Sequence, residues 1–368
     1  MKKQWIFGLL LLLVAAFLVY LFAGQNVKED ENVVKIGAIL PLTENAVALG
    51  NSTLRGIELA VEEYNNLAAK NNDKKVVLEV FDSKGNQTEG VNQARKLFAI
   101  GSKPKLVYSI MSGVTLAIQP ITEEANVPLI AAVGTEKLLK NSNFSYRNYI
   151  SPENIGIQLS GLLKDTLKID NLGIYYSNND FGQSVKNSVE KESKNKRIVI
   201  NFTEPFDEKS LDYKTIVLKN KSFNTQCVYV AGVGKALGTL IRQIRESGYN
   251  GLIVGDPTIP FPDVVNSAGQ YIQGINYLDF AFDINSRDSS TVKFVNSYRQ
   301  KFNQEPQNFS VIAYDAMRAI LAKAKVNNYD FVKILAAMNK EQGTFGEFVL
   351  REKEFFYTTK IKTYQILK

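Results

Sequence analysis

The sequence predicts an α/β protein built from two doubly wound parallel-sheet lobes. The chain has 368 residues, which is more than one ordinary hydrophobic core needs. From residue 33 onward, short β-rich apolar runs alternate with segments of helical spacing. The runs are continuously apolar, as expected of parallel strands that are covered on both faces.

The predicted strands are short, and a helical segment follows almost every one of them. They comprise residues 33–40, 75–82, 105–110, 127–132, 171–177, 198–202, 227–231, 251–254 and 275–282. Two examples of helical spacing are Leu54, Ile57, Val61, Tyr64 and Ala68, and Leu237, Leu240, Ile241 and Ile244 before Gly248. Long helices are predicted at 288–302 and 309–325, and two tail strands at 345–350 and 360–367 around a polar turn at 351–354.

Eight or more strand–helix units exceed one typical domain, so the units up to about residue 150 form lobe 1 and those after it begin lobe 2. Residues 1–32 stand apart. Lys2 and Lys3 precede an uncharged apolar stretch at 5–23, and a polar tether follows to residue 32. This stretch is either a membrane anchor or a cleaved signal. In both cases the lysines favour an extracytoplasmic body.

Composition excludes several function classes. The chain has no histidine, and its one cysteine, Cys227, lies in an apolar run, so histidine-dependent triads and histidine-ligated zinc are excluded. The net charge of +7 is spread over many short runs without a nucleic-acid-binding motif. No P-loop motif is present. We therefore expect no enzyme activity, no cofactor, no metal and no nucleic-acid partner.

Ligands of open parallel sheets bind outside the carboxyl ends of the strands. In lobe 1, Ser112 and Gly113 follow the strand at 105–110, and Val133, Gly134 and Thr135 follow the strand at 127–132. Glycine permits close approach, and the free N–H groups at a helix start favour a carboxylate. Alternatively, Ser112 is only a helix cap and the second loop is an ordinary turn.

In lobe 2, Phe181 follows the strand at 171–177, and Asp256 follows the strand at 251–254. An acid at this position could hold an ammonium group. Alternatively, Phe181 is a core residue and Asp256 only initiates a turn before Pro257. Together the four loops would suit a zwitterion enclosed between the lobes.

Several segments resemble the leucine/isoleucine/valine-binding protein family, the type I periplasmic solute-binding proteins. They are the opening VKIGAILPLT at 34–43, Gly50, RGIELA at 55–60, FDS at 81–83, and residues 175–182, 240–248 and 313–316. The resemblance implies a Venus-flytrap fold whose lobes are joined by a three-crossing hinge. Residues 33–150 and 279–343 would form lobe 1, and residues 151–278 and 344–368 would form lobe 2.

The resemblance also implies roles for individual residues. Ser112 and Thr135 are similar to residues that hold the ligand carboxylate and ammonium, and Phe181 to an aromatic wall. The family's ammonium-binding acid would fall at or one position beyond Asp256. Leu49 and Val233 stand where amino-acid binders often carry an aromatic ring.

The function that the resemblance implies is delivery of an amino acid or related small polar metabolite to an ABC-type permease, by a monomer that closes about its hinge. The alternative is a sensory component that reports the same ligand to a membrane receptor or regulator.

Overall fold

The computed structural model describes residues 31–44, 46–99, 103–140 and 142–365, and these residues form two sheets. The order in the first sheet is β11-β12-β13-β5-β4-β3-β1-β2, and in the second β14-β10-β9-β8-β6-β7. The strands are β1 Val33–Leu40, β2 Lys75–Asp82, β3 Leu106–Ile110, β4 Leu129–Ala132, β5 Ser145–Arg147, β6 Asn171–Ser177, β7 Val199–Phe206, β8 Cys227–Ala231, β9 Leu252–Gly255, β10 Asn276–Phe280, β11 Lys340–Gly343, β12 Gly346–Arg351, β13 Glu354–Phe356 and β14 Thr359–Thr363.

Most neighbouring strands are parallel, and within the described residues antiparallel pairs occur only among β11, β12 and β13 and between β10 and β14. Helices flank the sheets: α1 Val47–Lys70, α2 Gln87–Ala99, α3 Ser112–Glu124, α4 Pro152–Gly161, α5 Asp180–Asn195, α6 Lys214–Asn220, α7 Gly234–Glu246, α8 Pro262–Ala268, α9 Ser289–Phe302, α10 Asn308–Leu321 and α11 Phe331–Ala337. This architecture confirms the predicted fold class.

Helices α1 and α10 pack closely against each other because of a glycine. A Cβ atom at Gly56 would lie 2.1 Å from the Ser310 carbonyl oxygen, so only glycine allows this approach. Ser52 Oγ accepts a hydrogen bond from the Ser310 N–H at 3.1 Å in the same contact. In the chain, α10 comes after the parallel strands of the second sheet. The contact with α1 nevertheless holds it beside the first sheet.

The chain passes between the sheets three times: after β5, after β10 and after β13. The first and third passages are joined by hydrogen bonds, since Tyr357 Oη donates to Asn148 Oδ1 at 2.8 Å. Arg147, at the end of β5, forms an ion pair with Glu354 in β13. In the second passage, the Ala281 N–H donates to the Thr358 carbonyl oxygen of the third at 2.8 Å. The three connections therefore lie side by side and form one joint.

The predicted lobe boundary at residue 344 differs from the observed sheet membership. Strands β12 and β13 belong to the first sheet, and only β14 rejoins the second. The polar turn predicted at 351–354 is the reason: Glu352 and Lys353 adopt positive φ angles, so the chain reverses there and stays in the first sheet. The final change of sheet thus comes at residues 357–358.

Within the described part of the chain, no helix has the length and hydropathy that a membrane span requires. The apolar stretch at 5–23, predicted to be an anchor or signal, lies outside the described residues.

Candidate functional site

A cavity lies where the carboxyl ends of strands from both sheets face each other. Its empty volume is about 480 Å³ including the mouth. Its walls come from strand-end loops of both sheets, from the start of α1 and from the first connection: Leu49, Met111, Ser112, Gly113, Ala132, Val133, Gly134, Tyr149, Asn179, Phe181, Glu208, Val233 and Thr258. Five residues predicted from the sequence are thereby brought together: Ser112, Gly113, Val133, Gly134 and Phe181.

One wall is the amino-terminal end of α3. Met111 precedes the helix with φ 70°, and no side chain caps the helix. Ser112 is the first residue of the helix, and among the described residues its hydroxyl makes no cap hydrogen bond, so Ser112 is not the helix cap that the sequence left open as an alternative. Uncapped N–H groups, a free hydroxyl and the helix dipole form a site that suits a carboxylate.

A second wall is formed by Gly134 and the Phe181 ring, which meet across the cleft. A Cβ atom at Gly134 would lie 3.0 Å from Phe181 Cδ2 and 3.2 Å from Tyr149 Cε1. Phe181 is the second residue of α5, and the Asn179 side chain accepts a hydrogen bond from the Gly182 N–H at 2.9 Å to begin that helix. The missing side chain at Gly134 therefore leaves room for the ring.

Thr135 and Asp256 were predicted to touch ligand, but neither lines the cavity. Thr135 is fully buried, and its Oγ1 lies 3.3 Å from Ser184 Oγ of α5. Its hydroxyl therefore contacts the opposite lobe instead of the cavity. The sequence placed Thr135 at a strand end but could not show which way its side chain points.

Asp256 is also fully buried, and Tyr229 Oη donates a hydrogen bond to its Oδ1. Its Oδ2 has no partner among the described residues. Burial raises the pKa of Asp256 to about 7, although the Tyr229 hydrogen bond opposes the shift. The side chain lies outside the cavity lining. Tyr149 does line the cavity, and its pKa is raised first by burial and then by the nearby Asp256 and Asp279 carboxylates.

Asp256 should make stability depend on pH. Because its pKa is raised in the folded state, folding binds a proton between about pH 4 and 7, and the free energy of unfolding falls as pH rises through that range. The slope from one such carboxyl reaches about 1.4 kcal/mol per pH unit. We expect Asp256→Asn to flatten the decline, measured by urea unfolding at stepped pH. The exposed Asp212→Asn is the control, and equal slopes in wild type and Asp256→Asn would contradict this assignment.

Glu208 lines the cavity but was missed in the sequence. It follows β7. The sequence predicts that this strand ends at residue 202, but the strand continues to Phe206. The rule that strand-end loops carry the site would have included Glu208 if the strand had been extended. Leu49 and Val233, noted in the sequence only for lacking aromatic rings, also line the cavity.

The comparisons with known proteins agree on one family. The family model described as periplasmic binding protein matches residues 33–359. The chain belongs to the periplasmic binding protein family. Within the described residues, no group of three or more acidic or cysteine side chains could hold a metal ion.

Three proteins with similar sequences or folds are named as binding proteins for branched-chain amino acids. Leu/Ile/Val-binding protein homolog 8 of Brucella abortus is 25% identical over 308 residues, covering 78% of this chain and 75% of the relative. Leucine-binding protein LivK of Thermotoga maritima has a TM-score of 0.82 at 20% identity and covers 90% of this chain and 95% of LivK. LivJ of Streptococcus pneumoniae, solved with isoleucine, has a TM-score of 0.81 at 22% identity and covers 90% of this chain and 96% of LivJ.

A third structure widens the range of ligands among similar folds. A solute-binding protein of Rhodopseudomonas palustris, solved with 3,4-dihydroxybenzoic acid, has a TM-score of 0.76 at 19% identity and covers 90% of this chain and 93% of that one. Periplasmic binding proteins are solute-binding proteins of ABC transporters rather than enzymes, and family membership implies an extracytoplasmic location. The predicted family is therefore confirmed.

Proposed function

We propose that this periplasmic binding protein captures an amino acid or a related small polar metabolite between its lobes and delivers it to an ABC-type permease by hinge closure. The observation that carries the proposal is the cavity whose walls come from both sheets, with the uncapped start of α3 on one side. A ligand that touches both walls binds better when the lobes are together, and this difference in affinity is what drives closure.

Contacts across the cleft support closure as part of the mechanism. Lys137, in the first sheet's loop, forms an ion pair with Asp180 at the start of α5, at 2.5 Å. The Glu136 N–H donates to Ser184 Oγ at 3.3 Å. These contacts join the lobes beside the cavity without occupying it, so a ligand would add its contacts to those already present. One chain supplies both walls, which favours a monomer.

A thermal-shift panel tests this proposal. The panel contains L-amino acids, their amides, urea and aromatic carboxylic acids. We expect one class of compound to raise the melting temperature strongly, because a ligand bound only by the folded state stabilises it. If no compound of the panel raises the melting temperature, the proposed ligand range is wrong.

We also propose that residues 5–23 attach the protein to the membrane. The support is in the sequence: an uncharged apolar stretch of this length after two lysines. Recovery of the full chain in the membrane fraction, and of a chain starting at residue 25 in the soluble fraction, would agree with attachment. Release of the full chain into the soluble fraction would contradict it.

A further inference from the structure

We infer that Glu208 selects the ligand by holding a cationic nitrogen, so that the cavity takes an amino acid with an apolar side chain in preference to a simple carboxylic acid. This inference rests on the proposed function and names the ligand class of the same cavity. It assigns the cationic end of the ligand to the loop after β7 instead of the loop after β9, where Asp256 lies.

The position of the Glu208 carboxylate is fixed by its neighbours. Ser177, the fully buried last residue of β6, donates from Oγ to Glu208 Oε1 at 2.7 Å. Burial raises the pKa of Glu208, and the nearby Ser177 and Asn179 side chains oppose that shift. A carboxylate has about four lone-pair sites, so acceptor capacity remains for a ligand after the Ser177 bond is made. Glu208 lines both the cavity and an adjoining groove, and Met111, Gly113 and Asn179 also line both.

The charge of the cavity wall favours a cation. Among the described residues that line the inner cavity, Glu208 is the only one with a formal charge. The nearby Lys137 ammonium is paired with Asp180. Glu208 is partly buried. A carboxylate that loses part of its hydration is stabilised by an opposite charge, and an ammonium supplies charge-assisted hydrogen bonds. A benzoate-like ligand would bring a second negative charge and no cation.

Most of the remaining wall is apolar; the Thr258 hydroxyl, which also belongs to the lining, donates to the Gly232 carbonyl oxygen at 2.8 Å. Leu49, Val133, Val233 and the rings of Tyr149 and Phe181 face the space that Glu208 and α3 leave. A zwitterion would place its carboxylate at α3 and its ammonium at Glu208, and its side chain would pack against these groups. Asp256 cannot take the ammonium in this arrangement because it lies outside the cavity lining, with Tyr229 bonded to it.

The test uses calorimetry with three pairs of probes that differ only in the ammonium group: L-alanine and propanoate, L-leucine and 4-methylpentanoate, and L-phenylalanine and 3-phenylpropanoate. We expect at least one amino acid to bind the wild type and its deamino partner to bind about 100-fold more weakly. Glu208→Gln keeps the shape of the side chain and an oxygen that accepts from Ser177. We expect this variant to bind the amino acid roughly 10- to 100-fold more weakly than the wild type.

Two matched changes of Asp to Asn complete the design. Asp212→Asn removes an exposed carboxylate from the same loop, and Asp256→Asn removes the buried one; both should leave affinity nearly unchanged. Melting curves without ligand establish that each variant is folded. Unchanged affinity in Glu208→Gln, loss of affinity in Asp256→Asn, or equal binding of both members of a pair would overturn the inference while the proposed function stands. If neither these probes nor the thermal-shift panel bind, the proposed function itself fails.

Discussion

Gly134→Val should lower the affinity for an amino acid that binds the wild type by at least about 100-fold, which corresponds to about 2.7 kcal/mol. The first added carbon would already lie 3.0 Å from the Phe181 ring and 3.2 Å from the Tyr149 ring. The two further methyl groups of valine have only the cavity to enter, or they push the lobes apart. Calorimetry with the amino acid selected by the thermal-shift panel measures the change.

Gly134→Ala provides the graded control. Its single methyl group needs the rings to move by only a few tenths of an ångström, so we expect a much smaller loss. Melting curves without ligand separate blocked binding from a failure to fold. Wild-type affinity in a folded Gly134→Val protein would show that ligand does not use this cavity.

Arg147→Met should lower the free energy of unfolding by about 3–5 kcal/mol, the usual cost when one partner of a buried ion pair is removed. The Arg147 side chain is 4% exposed and pairs with Glu354, whose side chain is 18% exposed. Its Nη2 also donates to the Thr135 carbonyl oxygen at 2.7 Å. The substitution leaves the Glu354 carboxylate buried without a cation, and urea unfolding measures the loss.

The double variant Arg147→Met with Glu354→Met should recover part of this loss. Burial lowers the pKa of Arg147 and raises the pKa of Glu354, so removal from water outweighs the attraction for each partner. Lys191→Met is the surface control, because the side chains of the Lys191–Glu153 ion pair are 64% and 69% exposed. This substitution should lower the free energy of unfolding by less than about 1 kcal/mol. A single Arg147→Met variant as stable as this control would refute the role of the pair.

The sequence predicted most of the parallel strands well because they are apolar runs, and β3, β4 and β8 are buried throughout. Predicted and observed bounds coincide for β1, β2, β6 and β8. Strands β5, β11 and β13 were missed. Their sequences SYR, KEQG and EFF are three or four residues long, and tertiary pairing rather than an apolar pattern holds them in the first sheet.

The candidate site was predictable as far as the strand-end rule reaches. Ser112, Gly134 and Phe181 were found because they follow correctly placed strands. Thr135 and Asp256 follow strands too, but beyond the last paired residue the alternation of side chains stops, and the sequence could not show that neither side chain lines the cavity. Glu208 was not predicted because β7 was expected to end at residue 202, whereas the strand continues to Phe206.

The three passages between the sheets have a consequence for the order in which the molecule can assemble. Both sheets take strands from the last part of the chain: β11 to β13 for the first and β14 for the second, all within residues 340–363. A chain that emerges amino terminus first therefore cannot complete either half until nearly all of it has emerged. Each sheet therefore lacks at least one of its strands until synthesis is nearly complete.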